Sequence, residues 1–254
     1  MQFTKLHGLG NDFVLIDQSK KVSKLSKKEI QSIGSRTRGV GFDQLLLLKT
    51  SKKKDIDYDL VIYNTDGSRA EMCGNGLRAA ALYCWNHLTS KSKLHFSTDA
   101  GMRAAYRTRN AISCSMGVPK IKKMTGKIEA YAVDVGNPHL VLFYWPKSNA
   151  EFLKMGAKLE YHNAFPNRVN VQFVKVVSRN KIKVRVWERG VGPTEACGTG
   201  AVASAFASIF SGKCNPPVNV EFEGGKAKVT LTRLQEVFLE ATAKEVFIGN
   251  WLNS

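Results

Sequence analysis

The nine residues Glu71-Met72-Cys73-Gly74-Asn75-Gly76-Leu77-Arg78-Ala79 return as Glu195-Ala196-Cys197-Gly198-Thr199-Gly200-Ala201-Val202-Ala203 at an offset of 124 positions. A repeat on this scale restricts the chain to an architecture built twice. Weaker echoes extend it. Asn64 lies nine residues before Cys73 as Glu188 lies nine before Cys197; Gly10-Asn11 answers Gly136-Asn137 at an offset of 126; and Gln44, before Leu45-Leu46-Leu47, falls opposite Asn170, before Val171-Gln172-Phe173. Each half thus carries four polar positions that end in a Cys-Gly-x-Gly turn. The expectation is two pseudo-equivalent domains, 1–117 and 118–242, divided near Gly117-Val118-Pro119, with a closing strand at about 243–254 free to return to the first half.

Most of the chain reads as strand. Phe13–Asp17, Tyr58–Asn64, Ala111–Met116, Leu140–Trp145, Val169–Val177, Lys181–Glu188 and Val218–Glu223 are short apolar or alternating runs punctuated by Gly, Asn, Asp or Ser. Ser26-Lys27-Lys28-Glu29 has the spacing of a capping box and predicts a helix running to about Arg36. Two further helices are expected, Gly74–His87 and Gly198–Phe210. Both are apolar nearly all round, so each must be enclosed by protein.

Composition sets the class. In 254 residues, 43% hydrophobic and 23% charged, there is enough apolar material for one large or two modest domains. No apolar run approaches the roughly 18–20 residues of a membrane helix, and the first residues lack a secretory signal pattern, so a soluble cytoplasmic protein is expected. The five cysteines are odd in number, with no C-x-x-C pair, which argues against a disulfide framework and a zinc site. The net charge of +17 raises nucleic acid as a partner. The cations, however, stand in short dispersed runs such as Lys20-Lys21, Lys27-Lys28, Lys52-Lys53-Lys54 and Lys122-Lys123, not in a stripe interleaved with aromatics, so no nucleic-acid partner is expected.

The paired turns carry the chemistry. Cys73 and Cys197 each precede a buried helix, where unpaired N–H groups and the helix dipole favour negative charge and a thiol ionises more readily. The flanking glycines leave room for a substrate carboxylate to approach the same N–H groups. Two such turns facing one another would set a sulfur on each side of one carbon, which suits racemisation or epimerisation. A single base tends to return a proton to the face it came from, whereas a thiolate and a thiol on opposite faces invert the centre. Such chemistry needs no pyridoxal cofactor and no metal. Cys84, Cys114 and Cys214 read as core residues, His139 alone as a core or surface histidine, and Asn11, Asn64 and Asn137 as turn formers; His7, His87, His95 and His162 stay unassigned.

The sequence resembles the diaminopimelate epimerase family in several motifs taken in order. They are His7-Gly8-Leu9-Gly10-Asn11-Asp12-Phe13, Tyr63-Asn64-Thr65-Asp66-Gly67-Ser68 through Glu71–Gly76, Gly136-Asn137-Pro138-His139, and Trp187-Glu188-Arg189-Gly190-Val191-Gly192 through Ala196–Gly200. The resemblance implies a strand-rich α+β fold of two similar domains, each a barrel-like sheet around a central helix. It also implies a cofactor-independent isomerase that interconverts LL- and meso-2,6-diaminoheptanedioate on the route to lysine and peptidoglycan. Cys73 and Cys197 would be the acid/base residues, with His139 and Glu188 tuning their ionisation. Asn11, Gln44, Asn64, Gly74, Asn75, Asn137, Asn170, Glu188, Arg189, Gly198 and Thr199 would line the substrate site, and Arg78 with Arg189 would grip a distal carboxylate. The expected partner is a small-molecule substrate, with no membrane contact and a homodimer as the assembly left open. Beyond about Lys213 the likeness weakens, where Ala241-Thr242-Ala243-Lys244-Glu245 replaces the family's Thr-Gly-Pro-Ala turn. A proline or hydroxyproline racemase is the alternative enzyme, and a basic nucleic-acid-binding module the alternative of another class.

Overall fold

A computed structural model describes residues 1–19 and 25–252, so the Lys20-Lys21 run lies outside the described residues. The chain divides into two compact units, Met1–Cys114 joined by the C-terminal segment from Ala241, and Ser115–Glu240. In chain order the first unit contains β1 (Gln2–Gly8), β2 (Asn11–Asp17), α1 (Lys27–Gly34), β3 (Gln44–Thr50), β4 (Tyr58–Asn64), β5 (Arg69–Ala70), α2 (Gly74–His87), β6 (Lys93–Thr98), β7 (Gly101–Arg107) and the first half of β8 (Ile112–Gly117). The second contains β9 (Lys120–Met124), β10 (Ala130–Asp134), β11 (Pro138–Leu142), α3 (Asn149–Glu160), β12 (Asn170–Ser178), β13 (Lys181–Glu188), β14 (Gly192–Thr194), α4 (Gly198–Phe210), β15 (Val218–Phe222), β16 (Gly225–Leu231) and most of β17 (Val237–Ala241). The last strand, β18 (Lys244–Asn250), belongs to the first unit and pairs with β1.

Within the first unit the strands run β18-β1-β2-β3-β4-β6-β7-β8, with β2–β3 and β4–β6 parallel and the rest antiparallel. The second unit runs β9-β10-β11-β12-β13-β15-β16-β17, with β11–β12 and β13–β15 parallel and the rest antiparallel. The two sheets therefore follow one plan. Their registers agree as well: Phe13 pairs with Gln44 in one and His139 with Asn170 in the other.

The apolar character of α2 follows from its place in this plan. Leu77, Ala79, Ala80, Ala81 and Cys84 pack with Leu6, Leu15, Leu46, Leu60 and Phe96 of the surrounding strands. In α4 every residue from Gly198 to Ser208 is buried. The continuous runs Phe13–Ile16 and Leu45–Leu48 are buried on both faces, because Val14, Ile16, Leu45 and Leu47 turn the other way to meet Ile30 and Ile33 of α1. That helix opens on the capping box: Ser26 Oγ accepts from the Glu29 N–H at 3.2 Å and Glu29 Oε2 accepts from the Ser26 N–H at 2.7 Å.

Two expectations need adjusting. Strand β11 stops at Leu142 and does not run to Trp145, because the chain turns there through Pro146 into α3, where the Tyr144 hydroxyl donates to Glu151 at 2.6 Å. Helix α3 itself is not among the sequence-based assignments. It occupies the place in the second unit that α1 holds in the first, setting Phe152 against Phe173, and Gly156 lets the Trp187 ring approach to where a Cβ would lie 2.6 Å from it.

Candidate active site

Cys73 caps α2 and Cys197 caps α4 in nearly the same backbone conformation, φ −142° and ψ 112° against φ −141° and ψ 122°. Each sulfur accepts a hydrogen bond from the N–H three residues on, Gly76 at 3.3 Å and Gly200 at 3.4 Å, so the first turn of each helix directs a backbone donor at the thiol. The second glycine of each turn is a packing requirement. A Cβ on Gly76 would sit 3.0 Å from Leu46 and 3.4 Å from Cys73 Cβ; one on Gly200 would sit 3.2 Å from both Cys197 Cβ and Gln172 Nε2, and 3.4 Å from Cys197 Sγ. Leu46 and Gln172 occupy matching places in the repeat, as do Phe13 and His139. The first unit therefore sets Leu46 and Phe13 against this turn, and the second the Gln172 amide. The other three cysteines are buried and unreactive by environment: burial pushes Cys114 up to about 12 and raises Cys84 and Cys214.

The polar residues of the first unit form two runs of hydrogen bonds. In one, Arg78 Nη2 donates to Asn75 Oδ1, Asn75 Nδ2 donates to Asn11 Oδ1 at 2.6 Å, and Asn11 Nδ2 donates to Asp43 Oδ2 at 3.1 Å. In the other, Gln44 Nε2 donates to Asn64 Oδ1 at 3.2 Å, Asn64 Nδ2 to Ser68 Oγ at 3.1 Å, and the Ser68 hydroxyl to Asp66 Oδ1 at 2.6 Å. Arg78, expected at a distal carboxylate, is enclosed in the first unit. It has no exposed surface and lies in α2 behind Asn75, where burial lowers its pKa. Of the two arginines, only Arg189 stands at the surface.

In the second unit, Asn137 Nδ2 donates to Thr199 Oγ1 at 3.4 Å, and His139 Nε2 donates to Asn137 Oδ1 at 3.0 Å. Thr199 Oγ1 in turn lies 3.5 Å from Cys197 Sγ. His139 is fully buried, and burial takes its pKa down to about 3, so it is a neutral donor throughout the ordinary pH range. Asn170 bridges two elements, donating to the Pro138 carbonyl at 3.0 Å and accepting from the Arg189 N–H at 3.0 Å. Glu188, at the end of β13, accepts from the Thr194 hydroxyl at 2.7 Å. Two residues not singled out from the sequence belong with these: Asp43, next to Gln44, and Gln172, whose place opposite Leu46 in the repeat was the available signal.

Among the described residues no group of three or more His, Cys, Asp or Glu side chains is placed to hold a metal ion, and no helix is long and apolar enough to cross a membrane. Fold and site define a repeat-built α+β protein in which each unit wraps a sheet around a cysteine-capped helix. Solved structures share this fold: a phenazine biosynthesis PhzF-family protein from Enterococcus faecalis (TM-score 0.73, 16% identity, covering 99% of each chain) and a predicted epimerase from Pseudomonas aeruginosa (0.75, 13%, 100% of this chain and 99% of that one). A probable proline racemase from Agrobacterium radiobacter also shares it (0.74, 11%, 100% and 93%). The diaminopimelate epimerase family matches the chain over residues 3–122 and 131–245. The chain is 39% identical over 249 residues to a diaminopimelate epimerase from Pseudomonas savastanoi, covering 90% of each, and 37% identical to one from Azotobacter vinelandii, covering 98% of each. It belongs to the diaminopimelate epimerase family.

Proposed function

We propose that the protein interconverts LL- and meso-2,6-diaminoheptanedioate by proton transfer at the α-carbon, with Cys73 and Cys197 as the two bases and no cofactor. The observation that carries this reading is the shared geometry of the two cysteine caps, each sulfur at a helix start and each taking an N–H from the glycine three residues on. In one direction a thiolate removes the α-proton and the C–H electron pair passes into the carboxylate. The thiol of the second cysteine then gives its proton to the opposite face, so the sulfurs exchange charge states in each turnover. Stabilising the charge that develops on the carboxylate is the largest demand, and N–H groups fixed in advance at a helix start meet it without reorganisation; one such donor contributes roughly 3 kcal/mol.

The binding residues of this reading are Asn11, Gln44, Asn64, Gly74, Asn75, Asn137, Asn170, Glu188, Arg189, Gly198 and Thr199. Arg189 takes the distal carboxylate, its exposed guanidinium suited to bidentate pairing, while the enclosed Arg78 acts on Asn75. The same reading takes the enzyme as cytoplasmic and without nucleic-acid partners. Several lysines pair with carboxylates, Lys91 with Asp57, Lys213 with Glu129 and Lys228 with Glu240 among them, which favours the absence of a nucleic-acid partner. The test is solvent deuterium incorporation at the α-carbon of LL-diaminopimelate in heavy water, without pyridoxal phosphate or added metal. Exchange with inversion, abolished by a thiol alkylator, is expected. No exchange from reduced, folded protein overturns the assignment, and proline is then the next substrate to try.

A further inference from the structure

Side-chain amides are ambiguous in one respect: turning one by 180° exchanges a donor for an acceptor at the same place, and only the surrounding hydrogen bonds decide which end points where. The run through Asn75 and Asn11 is closed at both ends by groups that have no such freedom. Arg78 can only donate and the Asp43 carboxylate can only accept, so every bond between them has one permitted direction. Asp43 Oδ2 also accepts the Asp12 N–H at 3.1 Å, and Asp43 Oδ1 accepts from Arg36 at 2.7 Å. Each Asn amide in the run has spent one N–H and keeps the other. With the reverse orientation, those positions would show a lone pair to a bound anion instead of a proton.

We propose that Asp43 is a positioning residue that fixes the Asn11 amide, as Arg78 fixes that of Asn75, so that its remaining N–H group receives a carboxylate of the substrate. This rests on the assignment of Asn11 and Asn75 to the binding site in the reading above. Asp43 itself touches no reacting atom; it acts through Asn11, which accepts from Asn75, the residue two beyond Cys73 in the first turn of α2.

The test compares Asp43→Ala with Asp43→Asn. Alanine removes one of the two anchors of the Asn11 amide, which is then held only through Asn75, so KM for diaminopimelate should rise about tenfold while kcat stays within about threefold. Asparagine should restore KM to within about twofold of the parent, because the N–H groups of Asp12 and Asn11 converge on one position and hold the new amide with its oxygen there. A role resting on charge, through the ion pair with Arg36, would leave Asp43→Asn as impaired as Asp43→Ala, and that result overturns the proposal. So does an Asp43→Ala protein with unchanged KM and intact fold by circular dichroism. Should Asp43→Ala fail to fold, Asp43→Ser, whose hydroxyl falls short of Asn11, takes its place with the same expectation. Hydrogen-exchange protection of the Asn11 side-chain amide, measured by NMR, provides a readout independent of turnover. Protection lost in Asp43→Ala and kept in Asp43→Asn supports the orienting run even if the parent proves inactive on diaminopimelate, a result that would count against the functional reading alone; protection unchanged in Asp43→Ala overturns the run itself.

Discussion

Gly200 shows how little room the site leaves at the level of a single atom. A methyl there would stand 3.4 Å from the Cys197 sulfur and 3.2 Å from Gln172, so Gly200→Ala should displace the thiol by a few tenths of an ångström without unfolding a helix that is otherwise unchanged. A loss of about ten- to a hundredfold in kcat is expected, read by steady-state kinetics beside a thermal melt. Replacing either sulfur is more severe. Cys73→Ser and Cys197→Ser should each lose at least about a hundredfold in turnover, since a hydroxyl is a poor base near neutrality. His139 yields a prediction in stability. Its pKa falls from 6.5 to about 3 on folding, so the unfolded chain binds a proton that the native chain refuses. Its share of stability is full above 6.5 and is lost as pH drops towards 3. The sheet already tolerates phenylalanine at the matching place, Phe13, so His139→Phe is the informative change: urea midpoints should vary less between about pH 5 and 6.5 than in the parent, and an unchanged slope would refute the assignment.

At the scale of elements, the hairpin turn that carries Glu188 and Arg189 is held by one buried carboxylate. Glu160, the last residue of α3, accepts from Trp187 Nε1 at 2.8 Å, from the Gly190 N–H at 2.8 Å and from Arg168 at 3.2 Å. Although burial works against it, these donors keep the carboxyl ionised and below its usual range. Glu160→Ala strands the Trp187 and Gly190 donors, and a loss of about 2–4 kcal/mol is expected from urea denaturation followed by tryptophan fluorescence. None of this was visible in the sequence, where Glu160 is one acidic residue in a mixed stretch. What could be read were elements whose pattern is local: the helix Gly74–His87, the strand Lys181–Glu188 with its period of two, and the capping box at Ser26. Helix α3 escaped because its apolar face is thin, Phe152 being the one large apolar side chain it buries, although laying α1 over the second half of the repeat would have pointed to it. The enclosure of Arg78 escaped for another reason. An arginine near a cysteine turn looks like an anion ligand until the sheet around it is known, and only folding reveals that it faces an asparagine.

For the whole molecule, the net charge of +17 is a uniform strain on compactness. Screening should relieve it, so the melting temperature is expected to rise by a few degrees as salt goes from about 10 to about 150 mM. A substrate carrying two ammonium and two carboxylate groups has no net charge to be steered, so kcat/KM should change by less than about twofold over the same range. A melting temperature that falls with salt would show that the ion pairs outweigh the repulsion. The pairing of β18 with β1, from Gln2 opposite Asn250 to His7 opposite Lys244, has a consequence in time. The second unit is drawn from one uninterrupted stretch, but β1, paired early with β2, acquires its second neighbour only when the whole second unit has been made between them. At about 5–20 residues per second that interval is roughly 10–50 s, through which the open edge of β1 is exposed to whatever else in the cell can add a strand.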